Sequence, residues 1–230
     1  MIASIHQPNF IPWLGYFYKI VHSDIFIFLD DVQYTKNSFI NRNKIKTPRG
    51  DQWLTLPVSH TGKYGQLISE TTIIQKEKAV RKIVNSIRAN YGKAQYFHTY
   101  FDELHQILTN TNENLAEINI LLINWIIKLL DIKVETKRSS DLKDIINTST
   151  ERLVSLCKSI GANEYLSGFG GVQYQEEKIF RDAEINLRIT DFKHPQYFQL
   201  WGDFIPSLSI LDLLFNCGPE SKKYLLSKNG

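Results

Sequence analysis

The chain has 230 residues, 43% hydrophobic and 22% charged, which excludes a disordered, collagen-like or disulfide-scaffolded protein. A net charge of +3 makes no general case for a nucleic-acid protein, so the local placement of the basic residues matters more. The longest apolar run, Ile118 to Leu130, is broken by Asn119, Asn124 and Lys128 and falls short of the roughly 20 clean residues of a membrane span. The chain opens on the alternating Met1 to His6, without the features of a secretory signal, which predicts a cytoplasmic protein. Cys157 and Cys217 form no Cys-x-x-Cys pair and fall on predicted helices, so buried thiols are expected rather than a disulfide or a zinc site.

Ile2 to Ile5 predicts a buried strand ending at His6, followed by the two-proline turn Gln7 to Pro12. Trp13, Leu14, Phe17, Ile20 and Val21 recur at helical spacing, and Asp24 to Leu29 is a second apolar strand that ends in Asp30-Asp31. This is a β-α-β unit, whose strands are buried on both faces and whose carboxyl ends face any ligand. Val32 to Gly50 reads as a cationic loop, Trp53 to Val58 as a core strand, and Thr71 to Ile74 follows a turn marked by Gly62 and Gly65. Helices are predicted near 77–91, 96–109 and 112–130, a mostly helical middle segment over 77–130. The second half alternates: strand 132–135, helix 149–160 with Gly161 behind it, strand 164–166, helix 172–183, strand 185–190, and an apolar helix 208–215 before a polar tail. The fold class expected is α/β with a layered parallel sheet. No repeat or linker divides the chain, so one domain over 1–230 is expected.

His6, at a strand end facing a helix start, is placed either to bind an anion or merely to bond its own turn. Gln7 and Asn9 beside it share that position. Lys36, Arg42, Lys44, Lys46 and Arg49 supply charge for phosphate, with Asn41 and Asn43 as sugar-hydroxyl partners or turn caps. Asp30 or Asp31 offers a carboxylate to take a proton from an amine, at most one of them if strand alternation persists; a divalent metal with substrate phosphates is the other use of the pair, and a charged strand end the structural one. Ser167 and Gly168 open the glycine-rich turn Ser167 to Gly171 between a strand and a helix, where backbone N–H groups could cradle phosphate. Ser209 at the last helix start could donate to phosphate. Cys217 sits at the negative end of that helix, which disfavours a thiolate. His98 and His105 are seven apart, about two helical turns, and make no metal pair.

Taken together, His6 to Gly15, Gln33 to Lys36 with Asn41 to Ile45, Tyr165 to Gly168, and Leu208 to Gly218 resemble the WbqC-like family over nearly the whole chain. The resemblance implies a bacterial protein of O-antigen, lipopolysaccharide or related surface-glycan biosynthesis, and transfer of glycine or another amino acid onto an amino sugar. A second likeness is in layout: the histidine turn and the later Pro206 to Ile210 helix start are similar to those of HIGH-type nucleotidyltransferases and pantothenate synthetases, where both hold nucleotide phosphates. Here Gln7-Pro8 follows His6 and no second histidine lies three residues on.

The function expected is therefore amide formation on a nucleotide-linked amino sugar by glycyl transfer. His6 or one of the two aspartates is the base, and the donor is either an aminoacyl-tRNA acceptor end or an adenylate made with ATP and Mg. An adenylate-forming or nucleotidyl-transfer enzyme without a sugar acceptor, and a non-catalytic glycan-precursor binding protein, are the alternatives.

Overall fold

The computed structural model describes residues 1–59, 64–146 and 149–226. Strand β1 (Ile2–His6), helix α1 (Leu14–Val21) and strand β2 (Ile25–Phe28) form the β-α-β opening. A hairpin of β3 (Arg42–Thr47) and β4 (Gly50–Thr55) follows, then three long helices, α2 (Lys76–Tyr91), α3 (Phe97–Asn110) and α4 (Leu115–Leu129). The second half runs β5 (Glu135–Arg138), α5 (Ser149–Ser159), β6 (Glu164–Ser167), α6 (Glu177–Asp182), β7 (Asn186–Ile189), α7 (Ile210–Cys217) and α8 (Ser221–Leu226). Among the described residues no helix is long and apolar enough to cross a membrane.

Five strands make one sheet in the order β5-β2-β1-β6-β7, every pairing parallel, which is an α/β layered fold. Counted within this sheet alone, the order is 3-2-1-4-5, that of a doubly wound sheet: the chain builds outward from β1 on one side, then returns to build on the other. Side-chain alternation explains the two layers. Phe26 and Phe28 pack with Phe17, Ile20 and residues of α2, α3, α4 and α7, whereas Ile25 and Ile27 join Ala3, Ile5, Val154, Leu156 and Phe180 on the opposite face. All four β2 side chains are buried, which is why this stretch reads as a continuous apolar run.

The hairpin corrects two expectations. Val32 to Gly50 is not all loop, because β3 lies inside it, and the strand expected over Trp53 to Val58 is β4, starting earlier and pairing antiparallel with β3 outside the main sheet. Asn43 and Lys46 of β3, on its opposite faces, are both about 1% exposed, so its buried positions carry little apolar signal beyond Ile45. Lys46 Nζ donates to Gln199 Oε1 (3.1 Å) and to the carbonyls of Gly202 and Asp203, and its backbone N–H donates to the Tyr91 hydroxyl (2.9 Å). That hydroxyl donates in turn to Oδ1 of the fully buried Asp212 on α7 (2.8 Å). Burial raises the Asp212 carboxyl to about 6, against the opposing effect of the tyrosine bond and the Lys46 charge.

Other boundaries shift. Thr71 to Ile74 makes only isolated bridges, to Val58 and Asn114. Strand β5 begins at Glu135, and a 3-10 turn over Phe169–Tyr174 precedes α6 where one long helix was expected. The tail is not a polar appendage through its first turns: α8 packs on α1, with Ser221 and Leu225 buried.

Candidate functional site

A cleft of about 1230 Å³ opens where β1 and β6 lie side by side, the point at which the chain reverses its direction of building. Its floor and walls come from the carboxyl ends of three parallel strands: Ile5 and His6 at the end of β1, Ser167 and Gly168 at the end of β6, and Thr190 to Lys193 just past β7. Ligands of open α/β sheets gather at such a switch point, because the flanking connections leave in opposite directions. One face of α1 supplies Gly15, Tyr16 and Lys19.

His6 Nδ1 lies 3.0 Å from the Gln7 carbonyl oxygen. A carbonyl can only accept, so this nitrogen carries the proton and Nε2 keeps its lone pair. Burial, with the nearby Lys19 charge added, pushes the imidazole down to about 3, and the Gln7 bond only partly opposes that. The ring is thus neutral throughout the physiological range. Tyr16 packs edge-on against it at 4.8 Å, and the Tyr16 hydroxyl donates to the same Gln7 carbonyl (3.1 Å), fixing the turn.

Lys19 is 4% exposed, and its Nζ donates to the Ile5 carbonyl (3.3 Å). It forms no ion pair with a carboxylate among the described residues, and burial pushes its ammonium down to about 7. The glycine-rich segment lies beside it: a Cβ on Gly168 would sit 3.8 Å from Lys19 Cδ, and one on Gly171 would collide with Ser167 Oγ at 2.6 Å and Gln175 Nε2 at 2.7 Å. Gln175 also lines the cleft, and its Oε1 is buried with no hydrogen-bond partner. The rim is aromatic. Trp13 meets Phe192 edge-on at 5.4 Å, and Phe169 stands 80% exposed. Gly15 admits the Trp13 indole, since a Cβ there would lie 2.4 Å from the ring.

Of the residues singled out from sequence, His6, Gln7, Ser167 and Gly168 come together in this cleft, and the others do not line it. The Asp30 carboxylate accepts from Ser139 Oγ (3.2 Å), the Ser140 amide (3.1 Å) and Ser140 Oγ (2.8 Å), tying the end of β2 to the turn after β5. Asp31 pairs with Arg152 (2.5 Å) and also accepts from Ser139 Oγ. The two carboxylates therefore meet the same hydroxyl instead of opposite faces, because β2 ends at Phe28 and alternation stops there.

The basic segment also lies apart. The Lys36 side chain is exposed, the Arg42 guanidinium stacks 4.3 Å over Trp53, and Lys44 pairs with Asp51 (2.5 Å). Asn9 is buried near the turn. Asn41 Nδ2 donates to the Leu56 carbonyl (2.8 Å) and Asn43 Nδ2 to the Ile11 carbonyl (2.7 Å), so these amides hold backbone instead of facing the cleft. Ser209 Oγ accepts from the Leu211 amide (3.3 Å) and caps α7.

Lys19 and Gln175 were missed by sequence reasoning. A usable signal existed for Lys19: it is the one cation in α1, LGYFYKIV, a helix apolar on nearly every side, where a lysine must be buried. Nothing comparable marks Gln175 or Thr190 to Lys193.

The profile of the WbqC-like protein family matches residues 7–224, and the chain belongs to that family. It is 41% identical over 227 residues to the uncharacterized protein Rv1507c of Mycobacterium tuberculosis (strain ATCC 25618 / H37Rv), an alignment covering 97% of this chain and 96% of the relative. No solved structure matches, and nothing beyond the α/β layered fold bears on the expected similarity to HIGH-type nucleotidyltransferases.

Proposed function

We propose that the chain is a transferase that forms an amide on a nucleotide-linked amino sugar, moving an aminoacyl group such as glycyl, with the β1/β6 cleft as its active site. The observation that carries this reading is His6, neutral and with Nδ1 committed to the Gln7 carbonyl, so that Nε2 is left to accept from a substrate amine. In the reaction the amine nitrogen attacks the acyl carbon and the donor's ester or acyl-phosphate C–O bond breaks. The nitrogen becomes strongly acidic as the C–N bond forms, and its proton passes to Nε2 and on to the leaving oxygen. The buried orphan oxygen of Gln175 suits a donor group such as a sugar hydroxyl, and Trp13 and the exposed Phe169, which both line the cleft, offer flat apolar surface for a nucleobase. The glycan context implied by the family supports the choice of an amino sugar as acceptor and of surface-glycan assembly as the setting.

The test is incubation of the protein with a panel of nucleotide-linked amino sugars, with glycine plus ATP and Mg in one arm and glycyl-tRNA in the other, read by mass spectrometry. A product heavier by one aminoacyl residue is expected in one arm. His6→Ala should fold and lose activity by about 10²-fold or more, the usual scale for a positioned proton acceptor. Wild-type turnover in that variant removes His6 from the reaction. Pyrophosphate release with no acceptor would mark an adenylate-forming enzyme instead, and sugar-nucleotide binding without turnover in either arm a binding protein.

A further inference from the structure

The charges lining the cleft are unbalanced. Among the described residues that line it, Lys19 and Lys193 stand with Asp191 as the one carboxylate, and Asp191 accepts from the Tyr18 hydroxyl (2.8 Å). Lys19 is the unusual member, because an ammonium is costly to bury unless a counter-charge accompanies it, and among the described residues its ammonium meets the neutral Ile5 carbonyl but pairs with no carboxylate. Its aliphatic stem runs past Gly168, where a Cβ would sit 3.8 Å from Lys19 Cδ, and the turn is open at Gly170, with nothing within 4 Å of a Cβ there, while Ser167 and Gln175 close in on Gly171. A wall with a desolvated cation, glycine backbone beside it and no free carboxylate is complementary to an anion.

We propose that Lys19 is the anchor of a phosphate subsite in this cleft, and that a phosphoryl group of the ligand supplies the counter-charge the fold withholds. The inference shares its site with the transferase reading but concerns ligand recognition alone.

The other titratable groups facing the cleft are His6, Tyr16 and Tyr165, with Asp191 and Lys193 at its edge. Burial drives the imidazole far below neutrality and both phenols up, which leaves Lys19 as the interior group that changes charge near pH 7. Anion binding above that pH therefore draws a proton onto Lys19.

Titration calorimetry with inorganic pyrophosphate at pH 8, run in two buffers of different ionisation enthalpy, reads both affinity and proton uptake. Wild-type protein should take up nearly one proton more per site than Lys19→Arg, whose permanent charge leaves only the titration of pyrophosphate itself. Lys19→Met should weaken binding at least tenfold, and Lys19→Arg, which should still bind, covers the case in which the methionine variant fails to fold. Acetate at equal concentration should compete poorly, separating phosphate from a carboxylate ligand. Equal affinity in Lys19→Met, uptake in wild type no greater than in Lys19→Arg, or no wild-type binding at millimolar pyrophosphate each overturns the proposal. Pyrophosphate binding with the predicted uptake but no turnover on any amino sugar would leave the subsite standing and overturn the transferase reading. Turnover with an unchanged KM for the sugar nucleotide in Lys19→Met would do the reverse.

Discussion

Replacing Asp212 with asparagine tests whether the buried network linking the hairpin to α7 is held against an ionisation cost. Asp212 is fully buried, accepts from Tyr91 through Oδ1, and leaves Oδ2 without a hydrogen-bond partner. Burial lifts its carboxyl from the ordinary 3.8 to about 6. Because the folded value is above the unfolded one, the folded state holds the proton more tightly, and the stability this contributes is complete below pH ~4 and lost as pH rises through ~6. At about 1.4 kcal/mol for each tenfold change in proton affinity, the full swing is about 3 kcal/mol, of which about 2 kcal/mol falls between pH ~4.5 and ~7.5. The asparagine amide cannot ionise and resembles the protonated carboxyl in shape. Urea unfolding of both proteins at the two pH values gives a double difference in which every other titrating group cancels. Wild type should lose about 2 kcal/mol more than Asp212→Asn over that rise in pH. If the two proteins lose stability in parallel, Asp212 is ionised at no cost in the fold, and the ionic attraction of Lys46 outweighs burial.

Gly15→Ala should destabilise the protein by about 1–3 kcal/mol, the usual cost of overpacking, and weaken pyrophosphate binding, since the new methyl collides with the Trp13 indole at the cleft rim; unchanged thermal unfolding and affinity would show that the indole has room to swing away. Cys217→Ser should keep wild-type turnover per folded molecule, because burial, with Asp212 adding to it, raises the Cys217 thiol to about 11 and leaves little thiolate at neutral pH. An acyl adduct on intact wild-type protein that the serine variant lacks would instead make Cys217 the nucleophile.

The sheet was legible where burial on both faces forced a continuous apolar run, as in Ile25 to Phe28, and α1 where Phe17 and Ile20 repeat at helical spacing. Strand β3 was not, because its buried positions include Asn43 and Lys46, residues whose amides and ammonium replace apolar packing with bonds to distant carbonyls. The same substitution of roles misdirected the reading of the basic segment: Asn41 and Asn43 belong to a recognisable motif, yet they pin backbone, Asn43 that of the very turn that carries His6. Half of the cleft was readable as a histidine at a strand end and a glycine-rich turn after a strand. The other half, Lys19 with Gln175 and the segment after β7, depends on β6 pairing with β1, a fact of topology that no local pattern encodes.

That pairing also orders events in time. Strand β1 gains β2 as a neighbour within some twenty residues, but its other edge waits for β6, about 160 residues further along. At synthesis rates of roughly 5–20 residues per second, the central strand would spend on the order of 10–30 s with one edge unsatisfied while the hairpin and the helical layer emerge behind it. An open, apolar parallel edge is prone to pairing with the wrong chain, so the three helices that cover one face early also shield a half-built sheet. The cleft itself is absent throughout that interval, because the walls that β6 and β7 contribute come together only once both strands have docked.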